Sequence, residues 1–175
     1  MPRPNPLTAP ITQGSQIVDV GAYGGADRRR VSGPGFRAFL NIMDQWRLSE
    51  EERLRILGRP SRSTYHLWAS KAREGAGLAL PLDTLVRISA VLGIYKALQI
   101  LFGNEGGDVG WLKGPNNGIT FGGQSPLALL ASGTQDGIML VRRYLDAWRG
   151  GLFAAPVPGF DSEAPAITDS DIVFL

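Results

Sequence analysis

Arg62, Ser63, His66, Ser70 and Arg73 stand close together and combine guanidinium, imidazole and hydroxyl donors. On a helix turning 100° per residue with Arg62 at zero, Arg73, His66 and Ser70 fall at about 20°, 40° and 80°. Trp68, Ala72 and Tyr65 fall at about 240°, 280° and 300°, on the opposite side. One face can therefore pack into a core while the other presents polar donors. Arg forks onto a guanine edge or a phosphate, and Ser and His donate to phosphates or bases. This is what a recognition helix needs, although a solvated basic face gives the same pattern.

The residues offer little to an enzyme. The chain has one histidine and no cysteine, so a transition-metal site lacks its usual ligands and a thiol nucleophile is absent. No Gly-x-x-x-x-Gly-Lys-[Ser/Thr] cradle occurs, no Gly-x-Gly-x-x-Gly follows a strand, and there is no Gly-x-Ser-x-Gly elbow. Asp136 and Asp146 lie about 280° apart on one helical period and do not face each other. A non-catalytic protein without metal or cofactor is expected.

The polar stripe requires a preceding helix and a tight turn. Ser49-Glu50-Glu51-Glu52 is a capping box, with acids at the positive end of the helix dipole. Leu54, Ile56 and Leu57 form a buried side, Gly58 a C-terminal cap, and Arg59-Pro60-Ser61 a turn into a helix over 61–74. Helix, Gly-containing turn and second helix make a helix-turn-helix. Phe36, Phe39, Leu40, Met43 and Trp46 predict an earlier helix starting near Gly35. Residues 1–30, rich in Pro, Gly, Thr and Gln, read as a flexible arm. Arg28-Arg29-Arg30 at its end suits DNA phosphate or plain solvation.

Beyond Gly75-Ala76-Gly77, apolar spacing predicts a helix from Pro81 to about Gly93, which either continues through residue 103 or is followed by another. The stretch from Gly110 to Leu127 holds an aromatic anchor, a Pro-Asn-Asn-Gly turn and a Gly-Gly-Gln-Ser-Pro helix entry, and reads as a shaped loop. A short helix over 126–131 and another capped by Thr134 follow, with Arg142 and Arg143 toward solvent. Residues 151–175 read as a flexible acidic tail ending Ile172-Val173-Phe174-Leu175, either a frayed end or a docking peptide. The expected plan is all-α: arm 1–30, DNA-binding and linking helices 31–103, a small helical domain 104–150, and tail 151–175.

Charge separates along this plan. Residues 28–73 hold eleven basic and four acidic side chains, net +7, whereas residues 100–175 hold four basic and eight acidic, net −4. A basic half suits phosphate and an acidic half a different partner. The N-terminus lacks the apolar segment of a signal peptide, and no apolar run approaches the roughly 18 residues of a membrane helix. Without cysteine, a soluble cytoplasmic protein is expected.

Several motifs in order resemble the Xre/MbcA/ParS antitoxin family of bacterial type II toxin–antitoxin systems. They are Leu57-Gly58, the Ser61-x-x-Thr64-Tyr65-x-x-Trp68 pattern, the linking segment from Arg87 to Leu98, Trp111-Leu112-x-x-Pro115-Asn116, Gly122-Gly123-x-Ser125-Pro126-Leu127, and Val141 to Trp148. The resemblance implies a helix-turn-helix domain that binds operator DNA and a toxin-binding domain that neutralises a RES-domain toxin acting on NAD⁺. It further implies a homodimer within the toxin complex and repression of the operon. Candidate toxin contacts are Trp111, Pro115 and Asn116 of the matching motif, which can equally be structural, and the tail residues Ile172, Val173, Phe174 and Leu175, expected to enter or cover the toxin cleft. A stand-alone transcription regulator, whose second domain dimerises or senses a ligand, is the alternative.

Overall fold

A computed structural model describes residues 24–103 and 106–150, and every regular element in that range is helical. The order is α1 Gly25–Gln45, α2 Glu50–Ile56, α3 Arg62–Glu74, α4 Leu82–Phe102, α5 Gly107–Lys113, α6 Pro126–Leu130 and α7 Gln135–Arg149. Two compact units result, the first ending at Ser89 and the second starting at Ala90.

In the first unit, α1 begins ten residues earlier than the periodicity suggested. Gly25, Gly33, Pro34 and Gly35 look like helix breakers, and Pro34 does sit inside the helix. The carbonyl that proline leaves unpaired, four residues earlier, belongs to exposed Arg30, where water can satisfy it. Arg28, Arg29 and Arg30 are therefore helical and not part of an arm, and Arg30 lies 3.7 Å from Asp27. Residues 1–23 of the expected arm, and the whole expected tail 151–175, lie outside the described residues.

What outweighs the breakers is burial. Ser32, at 0% exposure, donates to the Arg28 carbonyl at 2.6 Å and accepts from the Leu80 amide at 3.0 Å. That second bond joins α1 to the segment before α4. The Phe36 ring meets Tyr65 and Trp68 of α3 edge-on, each with centroids 6.0 Å apart. Arg37 adds a 2.7 Å bond to the Ala72 carbonyl. Behind them Phe39, Met43, Trp46 and Ile56 are fully buried.

α4 is a single helix, and its apolar residues surround it on all sides. By length and composition it could cross a membrane, contrary to the expectation that no apolar run is long enough. Its sequence is broken by Asp83, Arg87 and Lys96, and Ile88, Ala90, Val91, Ile94, Ala97 and Leu98 are buried inside the protein. These are the properties of a core helix.

In the second unit the expected loop from Gly110 is helical as far as Lys113, as α5. Gly107 and Gly110 hide it, since each glycine costs a helix about 1 kcal/mol relative to alanine. Tertiary contacts offset that cost: Leu112 is fully buried, and Asp108 is 7% exposed with Gln99 of α4 donating to it at 3.4 Å. The caps of α6 and α7 are Ser125 and Thr134, as the sequence indicates.

Replacing Ser32 by Ala keeps the shape of the site but leaves the buried Leu80 amide without its acceptor. Denaturant unfolding of Ser32→Ala is expected to show a loss of about 1–3 kcal/mol, the cost of an unsatisfied buried donor. An unchanged midpoint would mean the amide finds another partner.

Candidate DNA-reading and toxin-binding surfaces

The face of α3 opposite its core contacts is built from both ends. Ser61 caps the helix by accepting from the Thr64 amide at 3.2 Å, and Gly75, at φ 69°, ends it. Tyr65, Ala69 and Ala72 are buried. Arg62, Ser63, His66, Ser70 and Arg73 are all exposed, so packing gathers the five predicted residues on the solvent side of one helix.

The turn before α3 rests on α4. Gly58 has φ 87°, and a Cβ placed there would lie 3.0 Å from Arg87 Nε and 3.3 Å from Asp83 Oδ2. Those two groups form an ion pair at 2.8 Å, with the Arg87 side chain only 10% exposed. Glycine is thus required both for its backbone angle and for the close approach. α2 is held to the end of α1 by Arg53, which pairs with Asp44 at 2.7 Å and donates to the Leu48 carbonyl at 2.9 Å.

Two features of this face were not legible in the spacing. Glu50, in the first turn of α2, sends one carboxylate oxygen to Arg62 Nε at 3.5 Å and the other to His66 Nε2 at 3.3 Å. The capping box uses Ser49 and Glu52 and so leaves Glu50 free for this. Leu67, 54% exposed, stands among the polar residues. Elsewhere on the face, Ser70 donates to Glu74, and the Ser63 hydroxyl lies 3.0 Å from that of Ser61.

The second unit centres on an aromatic cluster. Trp111 of α5 stacks on Tyr144 of α7 with centroids 6.1 Å apart and meets Phe121 edge-on at 5.8 Å. Trp148 and Phe102 complete the group, 5.6 Å from each other. Trp111 is half-buried, and its ring contacts lie within this cluster.

The loop between α5 and α6 is closed by Asn116. Its amide donates to the Gln124 carbonyl at 3.1 Å, its carbonyl accepts from Gly123 at 2.9 Å, and its side-chain Oδ1 accepts from Gly118 at 2.9 Å. Pro115 is exposed, and Ile119, at the far side of the loop, is fully exposed. The only sequence sign of Ile119 is an apolar residue within a polar turn. Arg142, expected toward solvent, is instead half-buried. It pairs with Asp146 at 2.8 Å, and its guanidinium covers Gly93 so closely that a Cβ there would lie 1.9 Å from it.

Comparison with known proteins follows the same division. Residues 25–93 match the antitoxin Xre-like helix-turn-helix domain, and residues 97–151 match the antitoxin Xre/MbcA/ParS C-terminal toxin-binding domain. The chain belongs to the Xre/MbcA/ParS antitoxin family. It is also 44% identical over 114 residues to the uncharacterized protein y4oB of Sinorhizobium fredii (strain NBRC 101917 / NGR234), an alignment covering 65% of this chain and 83% of that protein.

Within the matched helix-turn-helix domain of this antitoxin, α2, the turn at Gly58 and α3 follow one another as helix, turn and helix. Trp111, Pro115 and Asn116 lie within the toxin-binding domain, where only Pro115 is exposed, while Ile172, Val173, Phe174 and Leu175 lie outside the described residues. The family is one of antitoxins and not of enzymes.

Asn116→Ala removes the Oδ1 acceptor that holds Gly118. Hydrogen exchange at the Gly118 amide is expected to quicken by roughly tenfold, the equivalent of one hydrogen bond. Exchange at the wild-type rate would show that the backbone bonds alone fix the loop.

Proposed function

We propose that this antitoxin neutralises a cognate RES-domain toxin that consumes NAD⁺, and represses its own operon by binding operator DNA through α3. The reading is carried by one observation: a single chain joins a helix-turn-helix with an exposed polar, partly basic face to a matched toxin-binding domain. The antitoxin acts as a homodimer within a larger complex in the bacterial cytoplasm. Repression then depends on a two-fold pair of recognition helices meeting two half-sites.

Toxin contact divides between two regions. Pro115 and Ile119 touch the toxin directly, while Trp111 and Asn116 hold the loop in the shape that presents them. Residues Ile172 to Leu175 enter or cover the toxin cleft. The acidic balance of residues 100–175 suits a cleft that accepts an anionic cofactor.

The test is co-expression with a candidate RES-domain toxin. Full-length antitoxin is expected to restore growth and cellular NAD⁺ and to co-purify with the toxin. Loss of both rescue and co-purification would overturn the reading. Deletion of Asp171 to Leu175 should leave folding and DNA binding unchanged and weaken neutralisation by roughly tenfold, the effect of losing about 1.4 kcal/mol of contact. Rescue equal to that of the full chain would remove the tail from the toxin site.

A further inference from the structure

We propose that Glu50 is a positioning residue for DNA reading, holding Arg62 and His66 side by side so that they address one base pair. The inference rests on the DNA-binding reading of α3. Its basis is the two-sided contact already described, in which one carboxylate reaches Arg62 Nε at 3.5 Å and His66 Nε2 at 3.3 Å. Arg62 and His66 are one helical turn apart on α3, and Glu50 comes from a different helix. The three side chains form a small triangle that ties α2 to the reading face.

Two physical points give this arrangement a purpose. Arg62 is 75% exposed and His66 61% exposed, so without a partner both would sample many rotamers. A carboxylate on Nε restrains the guanidinium and leaves its terminal nitrogens available, which are the donors that fork onto guanine O6 and N7. The second point is cost. A carboxylate beside a face meant for DNA repels phosphates and lowers affinity for every sequence alike. That cost falls on general binding, whereas the gain from fixing Arg62 falls only on the base pair it reads. Glu50 therefore exchanges non-specific affinity for discrimination. Its position does not follow from capping, since the box is closed by Ser49 and Glu52, with Glu52 Oε2 2.7 Å from the Ser49 amide.

The experiment selects binding sites for the full chain from a pool of randomised duplexes, and measures affinity for the selected site and for an unselected duplex. Wild type is compared with Glu50→Ala, Glu50→Gln and Arg62→Ala. Glu50→Ala and Arg62→Ala are expected to lose preference at the same base pair, roughly tenfold or more. On the unselected duplex they should move in opposite directions: Glu50→Ala binds about fivefold more tightly, through the lost negative charge, and Arg62→Ala binds more weakly. Glu50→Gln removes the same charge but keeps an acceptor, so it should match Glu50→Ala on the unselected duplex while retaining part of the base preference.

A Glu50→Ala protein that selects the wild-type motif would overturn the proposal and leave DNA binding intact. So would equal loss of preference in Glu50→Ala and Glu50→Gln, because charge alone would then account for it. If the wild-type chain bound no duplex at all, the DNA-binding reading would fail first and the proposal with it. Circular dichroism melting of each variant separates these outcomes from unfolding, and Glu50→Gln keeps the test open if Glu50→Ala melts early.

Discussion

A helix with apolar residues on every side has to be covered along its length, and α4 is such a helix. Exposed in water, Leu82–Phe102 would leave a continuous apolar cylinder. Ile88 of its first part is buried in the unit that carries α1, α2 and α3, and Val91, Ile94, Ala97 and Leu98 of its later part are buried in the unit that carries α5, α6 and α7, while Ile100 stays exposed. The charged residues on it are used as well. Arg87, buried and paired with Asp83, supports the turn at Gly58 that leads into α3. One helix thus supplies core to both units and a seat for the turn that aims α3.

The second consequence of this arrangement is a division of labour by charge. Eleven of the eighteen basic side chains lie between residues 25 and 74, and the acidic excess lies in the second half of the chain. On the proposed reading this separation keeps one surface for polyanionic DNA and another for the toxin. The carboxylates that do occur near the reading face, Glu50 and Glu74, are each engaged with a residue of that face.

Much of this was legible in the sequence, and the limits have physical causes. Strong local signals were read correctly: the capping box at Ser49, the caps Ser125 and Thr134, and the polar stripe of α3. Local signals failed where tertiary contacts reverse a propensity. Gly33, Pro34 and Gly35 suggested a break, yet buried Ser32 and the Phe36 aromatic contacts carry α1 through them. Gly107 and Gly110 concealed α5, which is secured by Leu112 and the Trp111 cluster. Long-range pairing was beyond reach: neither Glu50 with Arg62 and His66 nor Arg142 over Gly93 follows from any spacing. The family motif around Trp111 and Asn116 was prominent in the sequence because it builds the loop, and the exposed Ile119 it presents was not.

On the proposed reading, the first unit binds DNA and the second binds the toxin. Hydrogen–deuterium exchange of the full chain, alone and with each partner in turn, tests it most directly. Duplex DNA carrying the operator is expected to slow exchange across 50–74 and leave 107–149 unchanged. The toxin is expected to slow exchange across 107–149 and leave 62–74 unchanged. Protection of 62–74 by toxin as strong as that of 107–149 would contradict the account.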